Sequence, residues 1–456
     1  MTHDPGIARP TGKEHDMEGK QVLFEDYGVK PVPASEQKGW VAIGIIYWGV
    51  AVCLPAFLVS GMIAGSAGFV TAVGAYLVGA AVLAVVSILS GIIGARTKLS
   101  TALSFNFTFG KYGAYVLQLV LFFAAWGWFG VQLGFMSSGL GDGGLAHVFG
   151  GAVPVWLINI IGGALMILTA MVGFKAIEKL TVLAVPLLLV ILIATIISEI
   201  TGGQDIGAAM VAVPEKAMPF GVAASIVIST FMLGSIIAPD ITRYAKSPKA
   251  AGGGMFFGMM IGFPVVLILA SIMVVGAKGE LDFSKIMLAN NSGFWAFLAI
   301  ITIVLAAWTT NDNNLYSGAL SINAMFPTIP KWIITVVSGA VGTILALAGI
   351  NTSQGFTGFL SLIAIVIPPA AAVMLVDFYL FKNTANKEYQ SSELDKMANF
   401  RFMPLACWVV GVAFGFISQR LQWQFTTIAA LDAIIFTSII YLITMVATGN
   451  RLKPSI

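Results

Sequence analysis

The chain reads as an all-α polytopic membrane protein with 12 transmembrane helices, built as a 5+5 inverted repeat with two further helices after it. Three observations predict this. Of 456 residues, 58% are hydrophobic and only 10% are charged, a balance that soluble chains of this size do not carry. Apolar runs long enough to cross ~30 Å of hydrocarbon recur along the chain. Two of these runs, at matching places in the two halves, are interrupted by glycine and proline near their centres.

Residues 1–38 hold seven acidic and five basic side chains with Pro5, Pro10, Pro31 and Pro33. They lack the apolar core of a signal peptide and read as a cytoplasmic tail. The first repeat, 39–200, holds spans near 40–64, 68–94, 113–137, 153–173 and 180–199. The second, 201–382, holds spans near 220–240, 254–276, 293–325, 331–349 and 356–380. A cytoplasmic loop, 383–403, leads to the last two spans within 404–447, near 404–419 and 425–447, and 448–456 form a second cytoplasmic tail. Five is odd, so each half starts on the opposite side of the bilayer, which is the arithmetic of an inverted repeat.

With the N-terminus inside, every one of the 24 Lys and Arg residues except Lys216, Lys278, Lys285 and Arg420 falls on the cytoplasmic side. That asymmetry predicts both termini in the cytoplasm and a multi-pass protein of the cytoplasmic membrane. The net charge of +3 is then a topology signal, and no basic patch interleaved with aromatics points to nucleic acid. Cys53 and Cys407 lie within spans, which excludes a disulfide framework or a metal cluster. His3, His15 and His147 lie in tails or loops, which excludes a histidine relay through the membrane and a zinc site of ordinary spacing. No His-Glu-x-x-His motif, intramembrane Ser/His pair or paired carboxylates suggest an enzyme.

Span one carries its interruption from Gly49 to Pro55, and span six from Gly234 to Pro239. Proline removes a helical hydrogen bond and glycine loosens the backbone, so main-chain groups are freed at that depth. Span eight carries six adjacent polar side chains, Thr309-Thr310-Asn311-Asp312-Asn313-Asn314. An Asp at the bilayer centre costs roughly 2.5–3.5 kcal/mol on insertion scales, so the run is expected to face a cavity, an ion path or a partner. The midpoints of spans one, three, six and eight fall near Val52, Ala125, Thr230 and Thr309, where these features would meet.

Span three offers Trp128, with Gln132 one turn further on the same face, and span six offers Phe231 beside its break. An indole and a phenyl make a slot for a flat ring, since stacking on an aromatic face is worth ~1–3 kcal/mol per base. The amides of Gln132, Asn311 and Asn314, each a donor and an acceptor, suit the polar edge of a neutral heterocycle. Thr309 and Thr310 add hydroxyls, and carbonyls freed around Gly49 and Val52 complete an all-oxygen cluster for a hard monovalent cation. Asp312 has three open roles: carrying a proton, balancing the cation or holding a neighbouring helix.

Four segments together resemble the nucleobase:cation symporter family, and the likeness runs from about Gly39 to Asp377. They are Trp308-Thr309-Thr310-Asn311-Asp312-Asn313, Gly127-Trp128-Phe129-Gly130, Pro239-Asp240-Ile241-Thr242-Arg243-Tyr244, and Ile367-Pro368-Pro369 with Asp377. The resemblance implies a LeuT-type fold that couples uptake of a nucleobase or related ring (cytosine, purine or hydantoin-like) to an inward cation gradient, sodium rather than protons. By position it implies stacking by Trp128 and Phe231, and an Asn311 amide to the substrate. Gln132 is similar to the amide of hydantoin-transporting relatives, and Gly234 lies at the span-six break. It also implies sodium ligands from the carbonyls of Gly49, Val52 and Ala306 and the hydroxyls of Thr309 and Thr310. Ala125 and Cys53 depart from the family's pattern at the ring's edge, so the identity of the ring stays open. Asp240 and Arg243 are candidate gate residues at the cytoplasmic end of span six.

The expected partners are the heterocycle, a monovalent cation and the bilayer, with a monomer as the functional unit, no cofactor and no nucleic acid. The alternative is an amino-acid:cation symporter of the same architecture. It would need a closely spaced glycine pair in span one, which Gly49-Val50-Ala51-Val52-Cys53 does not supply. A channel would need no stacked aromatics at mid-depth.

Overall fold

The computed structural model describes residues 31–381 apart from 142–143 and 278–279, and residues 394 and 396–449 apart from 422. The expected tail over 1–30, most of the expected loop after 382 and the tail over 450–456 lie outside the described residues.

Span one divides into α1 (Trp40–Ala51) and α2 (Leu54–Ala67), bent by 64° at the break. Val52 and Cys53 are extended there, and Pro55 sits in the first turn of α2, where its missing N–H costs no helical bond. The next elements are α3 (Phe69–Thr97), the short α4 (Thr101–Phe109), α5 (Ala114–Gly141), α6 (Val155–Val172) and α7 (Phe174–Thr201). Span six divides at Ile237 into α8 (Phe220–Ile236) and α9 (Ala238–Thr242), with Pro239 again in a first turn. Span seven is α10 (Pro248–Phe256), a π-helical turn over Phe257–Gly262, and α11 (Phe263–Gly276). Then follow α12 (Gly293–Met325), α13 (Lys331–Leu347), α14 (Ser353–Leu380), α15 (Phe402–Leu421) and α16 (Ala429–Ala447).

Among the described residues nine helices are long and apolar enough to cross a membrane, and the bent α1–α2 pair makes a tenth. Two shorter apolar helices, α8 and α13, stand where spans six and nine are expected. The π turn is a feature that periodicity did not reveal. It places Gly258 and Gly262 against Tyr47 and Trp48 of α1, so span seven widens where span one carries its largest rings.

Two packed groups emerge. In one, α3 lies along α8 and α10, while α1 meets α10 and α2 meets α11, which gathers spans one, two, six and seven. In the other, α12 lies along α5, α7 and α6, and α13 along α5 and α6. Close approach depends on small residues, as expected in lipid, where apolar burial alone does not drive helix association. Gly79 faces Val227 of α8, and a side chain at Gly94 would press on Pro239. The last three helices, α14, α15 and α16, pack on one another and reach the first group through α8.

Candidate substrate and cation site

The break in span one leaves the last carbonyls of α1 without donors four residues on. Two of them turn to α12. Thr309 Oγ1 donates to Gly49 O at 3.3 Å and Thr310 Oγ1 to Val50 O at 3.1 Å. Each hydroxyl also has an acceptor on its own helix, Leu305 O at 3.1 Å and Ala306 O at 3.4 Å. The threonine pair, Gly49 and Ala306 are therefore together as expected, whereas the carbonyl that meets Thr310 belongs to Val50. Val52 closes α1 through its N–H to Trp48 O. Gly49 must be glycine, because a Cβ there would collide with the methyl of Thr181 on α7. All donors in this cluster are oxygens, the set that suits a small hard cation.

Trp128 and Phe231 are both 5% exposed and belong to one contiguous buried cluster. Trp128 meets Phe359 of α14 edge-on at 5.3 Å and Phe356 at 6.4 Å. Phe231 meets Tyr47 of α1 edge-on at 5.7 Å and Phe263 of α11 at 5.5 Å. Tyr47 donates to Gly234 O at 2.7 Å, so the two broken spans are joined at this depth. Gln132 is fully buried, and its amide has no hydrogen-bond partner beyond the neighbouring Cys53 thiol. The Cys53 thiol, in the span-one break, lies beside it. An unpartnered buried amide costs about 1–3 kcal/mol, a cost that a ligand's polar edge would relieve.

The remaining amides serve the scaffold. Asn311 Nδ2 donates to Phe129 O at 3.1 Å and contacts Met166 Sδ, and Asn314 Nδ2 donates to Asn311 Oδ1 at 3.3 Å. Asp312, fully buried, accepts from Thr169 Oγ1 of α6 at 2.7 Å, and the same hydroxyl accepts from Trp308 Nε1 at 2.7 Å. These contacts tie α12 to α6, while Asp312 Oδ2 is buried without a hydrogen-bond partner.

The gate candidate Asp240 lies in α9 and Arg243 caps it, its Nε donating to Asp240 O at 3.3 Å, and beyond that contact each reaches a different neighbour. Asp240 Oδ1 accepts from the N–H of Thr101 at the start of α4, at 2.8 Å. Arg243 is fully buried, donates to the Tyr316 hydroxyl, and lies over the rings of Tyr244 and Tyr316 at 5.2 and 5.8 Å. Phe174 of α7 stacks on Tyr244 at 3.8 Å, and Lys331 Nζ lies 4.7 Å above the Tyr316 ring. Tyr316 and Phe174 were not singled out in the sequence. Tyr316 could have been, since it stands two helical turns beyond Thr309 on nearly the same face.

A family model described as permease for cytosine/purines, uracil, thiamine, allantoin matches residues 31–435. The chain belongs to this family of nucleobase:cation symporters. It is a transporter and not an enzyme. The cytosine permease of Escherichia coli (strain K12) is 26% identical over 385 residues, covering 84% of this chain and 87% of the relative. The hydantoin permease of Microbacterium maritypicum is 22% identical over 428 residues, covering 87% and 85%. Among solved structures, Mhp1, a nucleobase-cation-symport-1 family transporter in a closed conformation with bromovinylhydantoin bound, superposes with a TM-score of 0.80 at 19% identity, covering 93% of this chain and 96% of that one. A sodium-coupled sialic acid symporter superposes at 0.67 and 13% identity, covering 92% of each chain. These likenesses fix the LeuT-type helical fold of this permease.

Proposed function

We propose that this permease is a secondary active symporter that imports a nucleobase or related planar nitrogen heterocycle, driven by an inward sodium gradient. It works by alternating access, as a monomer in the cytoplasmic membrane with both termini inside. The observation that carries the coupling is the join between the threonine pair of α12 and the freed carbonyls of α1. Each hydroxyl has two acceptors, so its proton can turn from Gly49 O or Val50 O to Leu305 O or Ala306 O. That turn frees the span-one carbonyls and the hydroxyl lone pairs for sodium, together with Ala306 O and Val52 O. The ion then replaces a direct bond between the two packed groups with a charged bridge, and so biases their relative position.

The ring is assigned to Trp128, Phe231 and the Gln132 amide, with Gly234, Asn311 and Asn314 as further contacts. Stacking supplies affinity and the Gln132 amide supplies the edge. The relatives' cytosine and hydantoin substrates have edges of both donors and acceptors, which is the complement of a primary amide. Arg243 and Asp240 tie the cytoplasmic end of span six to α12 and α4, so inward opening requires these contacts to part. Thermal unfolding of the purified protein with cytosine, hypoxanthine, hydantoin and allantoin, each with and without sodium, tests the assignment. One or more rings should raise the midpoint, and more so in sodium. Stabilisation by amino acids and by none of the rings would overturn it.

A further inference from the structure

A cavity of about 220 Å³ lies between the N-terminal half of α8, the N-terminal half of α14, the end of α15 and the start of α16. Under the inside-in topology this is the outer half of the membrane. Its roof, residues 424–428, is tightly built. The fully buried Asp432 carboxylate accepts from Phe425 N at 2.7 Å, Thr426 N at 3.0 Å and Thr426 Oγ1 at 2.6 Å. Thr427, a β-branched residue, is held at φ +65°, a left-handed conformation that such residues rarely adopt. Its carbonyl seats on Gly221 of α8, where any Cβ would collide with it.

The lining defines the occupant. Among its described residues there is no charged side chain and no aromatic ring, so neither an ionic head nor a stacked heterocycle is served. The walls are aliphatic, Val222, Ile226, Leu360 and Ile365, while hydroxyls of Ser225 and Ser361 and amides of Gln419 and Gln424 stand among them. The Ser225 hydroxyl is buried without a hydrogen-bond partner. Lipid tails are as apolar as the walls, so a chain gains little by leaving the bilayer for this cavity. Selection rests on hydrogen bonds, and hydroxyls and amides both donate and accept.

We propose that this cavity is a binding site for a single-chain lipid with an uncharged hydroxylic head, of the monoacylglycerol class. Its occupant braces α8, which carries Phe231, against α14, which carries the Phe356 and Phe359 partners of Trp128.

The test uses the full chain in phosphatidylcholine nanodiscs, with 1-monoolein, oleate or cytosine added and thermal unfolding read out. Monoolein should raise the midpoint in a saturable way, with no matching rise from oleate. Gly415 lines the cavity, and a Cβ there meets only Ile365 at 3.6 Å or more. Gly415→Leu therefore puts a bulky side chain into the cavity, and its midpoint without lipid reports whether it folds. This variant should lose the monoolein response, and Ser225→Ala should weaken it. An equal response to oleate, a cytosine response that Gly415→Leu abolishes, no response to monoolein, or a full response in a folded Gly415→Leu would each overturn the proposal. None of these outcomes bears on sodium coupling at α12, which has its own readout.

Discussion

Replacing Thr310 with Val keeps the volume and the branching of the side chain and removes only the hydroxyl. In the ion-free arrangement this takes away the bond to Val50 O at 3.1 Å and leaves that carbonyl without its α12 donor. The net loss of such a bond is about 0.5–1.5 kcal/mol, a modest cost in stability. With sodium bound, the hydroxyl would be a ligand to a charge, and bonds to charged groups are worth about 1.5–3 kcal/mol. Sodium affinity falls by the difference between these two losses, about 1.25 kcal/mol, so at 1.4 kcal/mol per decade the sodium concentration for half-maximal uptake should rise roughly tenfold and by no more than ~60-fold. The assay is initial uptake of the best-stabilising ring into proteoliposomes across a sodium series. The maximal rate at saturating sodium should be much less affected than the half-saturation point. An unchanged sodium response combined with a lowered maximal rate would refute the reasoning, since the hydroxyl would then be structural only.

Trp128→Ala should abolish ring-dependent stabilisation while retaining a sodium-dependent shift, with calorimetry as the check; normal ring binding would remove Trp128 from the site. Arg401 makes a bidentate pair with the fully buried Asp377 at 2.8 and 3.0 Å, and Tyr441 adds a bond at 2.6 Å. Removing one partner of a buried pair costs about 3–5 kcal/mol, so Arg401→Gln should lower the unfolding midpoint markedly without changing sodium affinity in the surviving protein. Tyr316→Phe removes the hydroxyl that receives Arg243 and should shift the protein towards inward opening, read as faster labelling of a cysteine introduced on the cytoplasmic side of α12. Slower labelling would contradict the gate assignment.

Much of the site was legible because its chemistry is out of place in lipid. Six polar side chains in one apolar span, and a glycine and proline inside another, are costly enough to be read without coordinates. Their meeting at Thr309 and Gly49 follows from equal depth in helices of known rise. The exact carbonyl did not follow. Whether Val50 or Val52 faces Thr310 depends on how α1 rotates before its 64° bend, which is set by Thr181 packing on Gly49 and by the π turn of span seven against Trp48. The inner latch was half visible, through Asp240 and Arg243, but its receivers Thr101 and Tyr316 lie on other helices and are brought in by tertiary packing. The outer cavity had no signal at all, because its serines, alanines and aliphatic residues are ordinary in any span.

Sodium bound between α1 and α12 is proposed to drive accumulation of the ring. Proteoliposomes holding the purified permease, loaded with potassium and diluted into sodium with labelled ring outside, test it most directly. Accumulation above the external concentration is expected, collapsing when sodium is equalised across the membrane and lost in the Thr309→Val, Thr310→Val double variant at low sodium. Accumulation that persists without a sodium gradient, or that follows a pH gradient in its place, would contradict it.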